Sequence, residues 1–335
     1  MPLRASSTVN LGADANRKWL IFYHDTMKEC AQKVKGLMGS YAELSELEWK
    51  HFNDGFPDLA VKKEDAARLE GFHGTCLIVS LHNPTVIFEQ LCLLYALPRL
   101  RAKNFRIILP WFSTGTMERV EHLGQVATAA SLARMISSCP LGPRGPATVV
   151  IYDIHALQEQ FYFADSVLVE LKTAVWLLKE KLEALQKENP SEKIAIAFPD
   201  DGAHKRFKSK FEGFPMIICN KVRDGDKRIV VIKEGEAKNC HCVIVDDLVQ
   251  SGGTLLECAK PLRESGASKV SCWCTHGVFP KESWKKFVGN PLIHKFWITD
   301  SIPTTAGLVA GTSPFEVLSL APLIAANLMG SASED

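Results

Sequence analysis

Residues 243–254 (VIVDDLVQSGGT) concentrate the chain's clearest chemistry. An apolar strand-like run ends in two acids, Asp246 and Asp247. A short turn with Gly252 and Gly253 follows, and Thr254 is expected to open a helix. In a parallel α/β sheet, ligands bind at the carboxyl ends of strands. The 249–254 turn (Val249, Gln250, Ser251, Gly252, Gly253, Thr254) can aim several backbone N–H groups at one phosphate, and a helix N-terminus adds its positive dipole end. The glycines permit close approach, while Ser251 and Thr254 offer hydroxyl donors. Asp246 and Asp247 would repel that phosphate, so they suit hydroxyls on the same ligand, such as a ribose diol. The pattern is neither a dinucleotide fingerprint nor a Walker loop, because it lacks G-x-G-x-x-G and no Lys follows the glycines.

Such a loop needs a parallel sheet behind it, and strand-like and helix-like runs alternate along the chain. Strands are expected at 19–23, 75–81, 105–112 and 148–154, with helices at 27–37, 84–103 and 125–137. Asn83 and Pro84 are suited to open the second of these helices. The alternation then restarts. A long helix is expected at 166–188, then strands at 193–198, 216–220, 229–232 and 242–245. A helix at 254–264 ends before Gly266, and strands at 269–274 and 295–299 follow. Continuous apolar strands separated by helices predict mainly parallel sheets covered on both faces. The chain is therefore expected to hold two tandem α/β domains, 17–163 and 164–312, with 313–335 returning to the first.

The 335 residues suit about two domains. Hydrophobic residues make up 46% and charged residues 23%, which excludes a disordered or collagen-like chain. A net charge of +1 gives no support to a broad nucleic-acid or anionic-membrane surface. The longest apolar runs, 91–97 and 317–328, are too short or too broken to span a bilayer. Residues 1–16 lack the apolar core of a secretory signal. With ten cysteines mostly in apolar runs, a cytoplasmic chain with reduced thiols is expected. The pairs Cys240/Cys242 and Cys272/Cys274 have the spacing of one strand face rather than of a structural zinc site.

The 243–254 segment closely resembles the phosphoribosyl-diphosphate (PRPP) loop of the type I phosphoribosyltransferase fold, and specifically that of the ribose-phosphate diphosphokinases, or PRPP synthetases. The resemblance runs from about Lys18 to about Leu328, and five further segments carry it. FPDDG (198–202) resembles a strand end whose Asp, here Asp200, helps hold magnesium near the ribose. YDIHA (152–156) resembles a segment whose His, here His155, is a metal ligand at the ATP phosphates. NKVR (220–223) resembles the start of the mobile catalytic loop, with Lys221 and Arg223 on its first and third basic positions and Val222 replacing the middle Arg. FNDG (52–55), with Phe52 and Asp54, resembles a loop that reaches a neighbouring subunit's adenine. THGVF (275–279) resembles the segment after the next strand. Singly, each has a plainer reading as a satisfied strand-end histidine, solvated loop charges or a satellite-core aromatic.

The family pattern breaks at PWFSTGTMER (110–119). Thr116 and Met117 stand where Arg and Gln would grip ATP, Glu118 stands on an Asp, and Arg119 on a basic residue. A family glutamate in the Phe52 loop is also missing, with Phe56 and Asp58 around its place. These departures resemble the plant-type, phosphate-independent class, which is less strict about its nucleoside triphosphate. Fewer directional hydrogen bonds give a physical reason for looser base selection.

The resemblance implies Mg²⁺-dependent transfer of the diphosphoryl group of ATP, or another nucleoside triphosphate, to the 1-hydroxyl of ribose 5-phosphate, giving AMP and PRPP. It also implies a homo-oligomer with the donor site near a subunit interface. No nucleic-acid or membrane partner is expected. Two other readings use the same fold. A non-catalytic PRPP synthetase-associated regulatory subunit would accommodate the altered ATP segment. A salvage phosphoribosyltransferase would share the 246–254 loop, but it usually has a single core domain.

Overall fold

Hydrogen-bonded pairing follows the apolar runs, and the described residues separate into two units, 174–318 and 17–173 with 319–330. The structure is a computed structural model; it describes residues 17–224 and 227–330, apart from the side chains of 221 and 223–229. The sequence expectations for residues 1–16 lie outside the described residues.

The first unit contains β1 (Trp19–Tyr23), α1 (Lys28–Met38), β2 (Ala42–Leu44), β3 (Leu47–His51), β4 (Pro57–Val61), α2 (Lys63–Arg68), β5 (Gly74–Ile78), α3 (Pro84–Arg99), β6 (Arg106–Leu109), α4 (Thr128–Ser137), β7 (Ala147–Tyr152) and β8 (Val167–Lys172). Its main sheet is wholly parallel, in the order β2-β1-β5-β6-β7-β8. Alternation divides each strand between two buried layers. Leu20, Phe22, Leu77, Ile107, Val149 and Ile151 join one core with Leu93 and Leu97 of α3 and Leu132 and Ile136 of α4. Ile21, Cys76, Ile78, Ile108 and Val150 are buried on the opposite face. Asn83 caps α3, its side-chain oxygen accepting the Thr85 N–H at 2.7 Å.

The expected helix 166–188 is two elements. Residues 167–172 form β8, parallel to β7, and only the remainder is the helix α5 (Val175–Glu188). The alternating Val167, Val169 and Leu171 meet the core from an edge strand, so sheet pairing overrides local helix propensity. This moves the boundary between the units from the expected 163/164 to 173/174.

The second unit continues with β9 (Lys193–Phe198), α6 (Asp201–Phe207), β10 (Met216–Asp224), β11 (Lys227–Glu234), β12 (Cys240–Val249), α7 (Gly253–Glu264), β13 (Lys269–Gly277), β14 (Phe296–Thr299), α8 (Pro303–Val309) and β15 (Phe315–Leu318). Its sheet order is β11-β10-β9-β12-β13-β14-β15, parallel except for the β10–β11 hairpin. β15 extends this sheet beyond the expected end of the domain at 312. The last helix, α9 (Ala321–Met329), belongs to the first unit and lies on α1. There Arg106 donates to the Asn327 carbonyl at 2.8 Å, and the Asn327 amide donates to Glu170 at 3.0 Å.

All ten cysteines are free thiols. Cys240, Cys242, Cys272 and Cys274 are buried on one face of β12 and β13 within a single hydrophobic core. That is the strand-face role their spacing predicts. Among the described residues, no helix is long and apolar enough to cross a membrane.

Candidate active site

The 243–254 segment leaves the second sheet beside its neighbours β9 and β13. The strand runs further than expected, so Asp246 and Asp247 are its residues rather than its successors, and Val249 is its buried last residue. Gly252, with φ of 78°, turns the chain into α7, which opens at Gly253, one residue earlier than expected. A left-handed backbone of this kind favours glycine.

Strand alternation separates the two acids. Asp246 accepts the Asp247 N–H at 3.0 Å. Asp247 is buried, with Arg206 Nη1 at 3.7 Å from its Oδ2. Asp200 follows the adjacent strand β9 and caps α6, its Oδ1 accepting the Ala203 N–H at 3.0 Å. Burial, with Asp247 and Asp200 nearby, holds the Asp246 carboxyl well above the usual carboxylate range. This carboxylate-rich strand end favours hydroxyls and hard cations over anions. The anion-binding capacity lies in the turn beyond it.

The turn is braced by residues after β13. The Val249 carbonyl accepts N–H bonds from Val278 at 3.0 Å and Phe279 at 3.4 Å. Ser283 Oγ donates to the Gln250 carbonyl at 2.8 Å, and Lys286 Nζ to the Ser251 carbonyl at 3.1 Å. Phe279, Lys281 and Glu282 all have left-handed backbones (φ 43°, 52° and 56°). Each costs about 1–2 kcal/mol for a non-glycine residue. The rings of Phe279, Phe287, Phe296 and Phe315 pack together here, with centroids 4.9–6.1 Å apart, and offset that cost. Ser283, Lys286 and Arg206 are not among the residues that the sequence motifs single out. The signals available were the basic pair Lys285-Lys286 after THGVF and the Arg one turn into the helix that starts at PDDG.

Lys221 and Arg223 lie in β10, where 220–224 was expected to begin a loop. Their positions pair with 230 and 228 of β11, so antiparallel ladder bonding extends the strand through the expected loop. Their side chains lie outside the described residues.

In the first unit, β6 and β7 are adjacent, and their carboxyl ends bring the 110–119 loop to His155. Gly115 is so close that a Cβ there would lie 3.3 Å from His155 Cβ and 3.3 Å from Glu159 Oε2. Arg119 Nε donates to Glu118 Oε1 at 2.8 Å, and the Tyr162 hydroxyl donates to the Glu118 carbonyl at 2.8 Å. His155 and Arg119 are exposed, whereas the Glu118 side chain is nearly covered. Phe52 and Asp54 form the tip of the β3–β4 hairpin, with Phe52 57% exposed. Asp54 Oδ1 accepts the Phe56 N–H at 3.1 Å, and His51 Nε2 lies 2.7 Å from Glu89 Oε1 of α3, tying the hairpin to its unit.

A phosphoribosyl transferase domain model matches residues 192–297. The chain is 50% identical over 321 residues to "Ribose-phosphate pyrophosphokinase 3, chloroplastic" of Oryza sativa subsp. japonica, covering 94% of this chain and 76% of that protein. It is 48% identical over 314 residues to "Ribose-phosphate pyrophosphokinase 4" of Arabidopsis thaliana, covering 92% and 91%. The crystal structure of phosphoribosylpyrophosphate synthetase from Mycobacterium smegmatis has the same fold, with a TM-score of 0.75 at 22% identity, covering 93% of this chain and 97% of that one. The similarity to the plant proteins extends far beyond the phosphate loop, through both units, and on that similarity the chain belongs to the ribose-phosphate pyrophosphokinase family.

Proposed function

We propose that the protein is a ribose-phosphate diphosphokinase that moves the diphosphoryl group of a nucleoside triphosphate onto ribose 5-phosphate. The observation that carries this reading is the strand end at Asp246 and Asp247 running into the braced turn at 249–254. One end of the ligand site suits sugar hydroxyls and the other a phosphate. The 5-phosphate would sit on the turn, with Ser251 and Thr254 as hydroxyl donors and Gln250 at its rim. Asp246 and Asp247 would orient the ribose 2- and 3-hydroxyls.

The sugar's 1-hydroxyl attacks the β-phosphorus and gives up its proton to solvent, the bond from the β-phosphorus to the bridging oxygen breaks, and the nucleoside monophosphate, AMP from ATP, departs with that oxygen. Transition-state charge spreads over phosphoryl oxygens, so positioning and cationic stabilisation dominate. Lys221 and Arg223 would supply that charge from the β10–β11 hairpin. Phe52 and Asp54 would serve the nucleotide of a neighbouring copy in a homo-oligomer. Glu118 and Arg119 would border the nucleotide in their own unit.

Asp200 offers an oxygen ligand and His155 an imidazole at their respective strand ends. Mg²⁺ commonly uses few protein ligands together with substrate phosphates, which suits one donor at each strand end, Asp200 on the ribose side and His155 on the nucleotide side. When bound, it would neutralise phosphate charge and polarise the β-phosphoryl group. Met117 is 40% exposed in the altered 110–119 loop and offers no directional hydrogen bond to a base, which supports relaxed donor choice. Ten free thiols suit a reducing compartment, and the cytoplasm is our reading.

Phosphorus NMR of the full chain with Mg²⁺, ribose 5-phosphate and ATP, without inorganic phosphate, tests the assignment. AMP and PRPP should appear together, and GTP or CTP should also support turnover. No turnover, even with phosphate supplied, would favour the non-catalytic regulatory subunit, the alternative that the altered 110–119 segment supports.

A further inference from the structure

Three successive carbonyls in the phosphate turn point towards one segment. Those of Val249, Gln250 and Ser251 accept, respectively, the backbone N–H groups of Val278 and Phe279, the Ser283 hydroxyl and the Lys286 ammonium. In a trans peptide the C=O and the following N–H point in opposite directions. Fixing these carbonyls therefore directs the N–H groups of Gln250, Ser251 and Gly252 away from the brace, as a consecutive set. Successive N–H groups on one side make an anion-binding concavity. The next carbonyl, that of Gly252, is taken by the Leu256 N–H within α7. The 278–286 segment thus braces the part of the turn that the helix does not hold.

Adjacent lysines behave differently. Lys285 Nζ pairs with Glu282 Oε2 at 2.7 Å, whereas Lys286 reaches back to the turn. The left-handed backbones at Lys281 and Glu282 fall between the contacts that Val278 and Phe279 make with the turn and those that Ser283 and Lys286 make.

We propose that Ser283 and Lys286 are positioning residues of the phosphate cradle, holding its carbonyls so that its N–H groups face the 5-phosphate of the sugar substrate. The proposal rests on the reading of 249–254 as the ribose 5-phosphate loop. It assigns phosphate affinity partly to side chains more than thirty positions along the chain from the turn they hold.

Calorimetric titration of the full chain with ribose 5-phosphate, inorganic phosphate and unphosphorylated ribose tests both levels separately. Lys286→Met should weaken ribose 5-phosphate binding about tenfold, the scale expected for losing one charged hydrogen bond. Lys286→Arg should recover most of that affinity, and Ser283→Ala should weaken binding by a smaller factor. KM for ribose 5-phosphate should rise more than kcat falls, while the melting temperature and the weak affinity for ribose stay near wild type. If wild type binds ribose 5-phosphate and both Ser283→Ala and Lys286→Met retain its Kd and KM, the positioning proposal fails while the loop assignment stands. Losses that follow a lowered melting temperature, equally severe in Lys286→Arg, also overturn it. Wild type that binds neither ribose 5-phosphate nor phosphate overturns the loop assignment and the proposal together.

Discussion

The Phe287 ring fills the space that a side chain at Gly252 would need. A Cβ on Gly252 would lie 2.5 Å from both Cε2 and Cζ of that ring. Phe287 is fully buried among other aromatic rings and has little freedom to retreat. Gly252→Ala must therefore displace the brace and also strain a left-handed backbone. It should destabilise the protein by about 1–3 kcal/mol. Its KM for ribose 5-phosphate should rise as the turn opens. Gly253→Ala would meet only Ser251 Oγ at 3.7 Å and should melt close to wild type. Thermal melts of the two variants check this, and equal stability would refute the steric account.

Lys221→Ala separates catalysis from substrate capture. If that ammonium stabilises the charge developing on the transferred group, kcat should fall by roughly 10²–10³. Ribose 5-phosphate should still bind, because its phosphate sits on another element. Stopped-flow or phosphorus NMR rates, paired with calorimetry, provide the check. Wild-type turnover would remove Lys221 from the chemistry.

Asp200 has a structural duty that must be separated from its proposed ligand duty. Asp200→Ala should cost about 1 kcal/mol through loss of the helix cap. Asp200→Asn preserves a capping oxygen and should retain most stability, yet it loses the carboxylate charge. Both variants should require more Mg²⁺ for half-maximal activity. Urea unfolding and Mg²⁺ titrations distinguish the two effects, and an unchanged Mg²⁺ requirement in Asp200→Asn would exclude the ligand role.

Stability should fall on acidification through His241. This buried ring lies 2.8 Å from Ser271 Oγ through Nε2 and faces Glu192, Lys269 and His294. Burial holds its pKa below the usual value of 6.5, outweighing the opposing effect of Glu192. The unfolded chain therefore binds the proton first, so this contribution is complete above pH 6.5 and is lost as pH falls below it. His294 is shifted in the same direction, also chiefly by burial. Melting temperatures at pH 7.5 and 5.5 should show the loss, with a shallower dependence in His241→Gln. Equal slopes for both proteins would exclude His241 as a source.

Much of the scaffold was legible because apolar strands leave a dense local signal. Residues 193–198 become β9 with the expected bounds, and 148–154 contain most of β7. Residues 166–172 read as helix in sequence because an edge strand with Glu170 and Lys172 carries weak alternation and runs directly into a true helix. The turn at 249–254 announced itself through two acids and two glycines. Its brace did not, because left-handed backbones at Phe279, Lys281 and Glu282 carry no glycine marker. Lys286 meets Ser251 only after the chain has passed through β13, a relationship no local spacing encodes.

The return of α9 to α1 also has a consequence for biosynthesis. The first unit begins emerging from the ribosome early, but its closing helix is among the last parts of the described chain to be made. Until then, Asn327 cannot join Arg106 and Glu170, and the apolar surface beneath α9 has no permanent cover. Domains commonly fold in order from the N-terminus during translation. Here the second unit can be completed while the first still awaits its final piece, so the nascent first unit is the one with the longer need for chaperone protection.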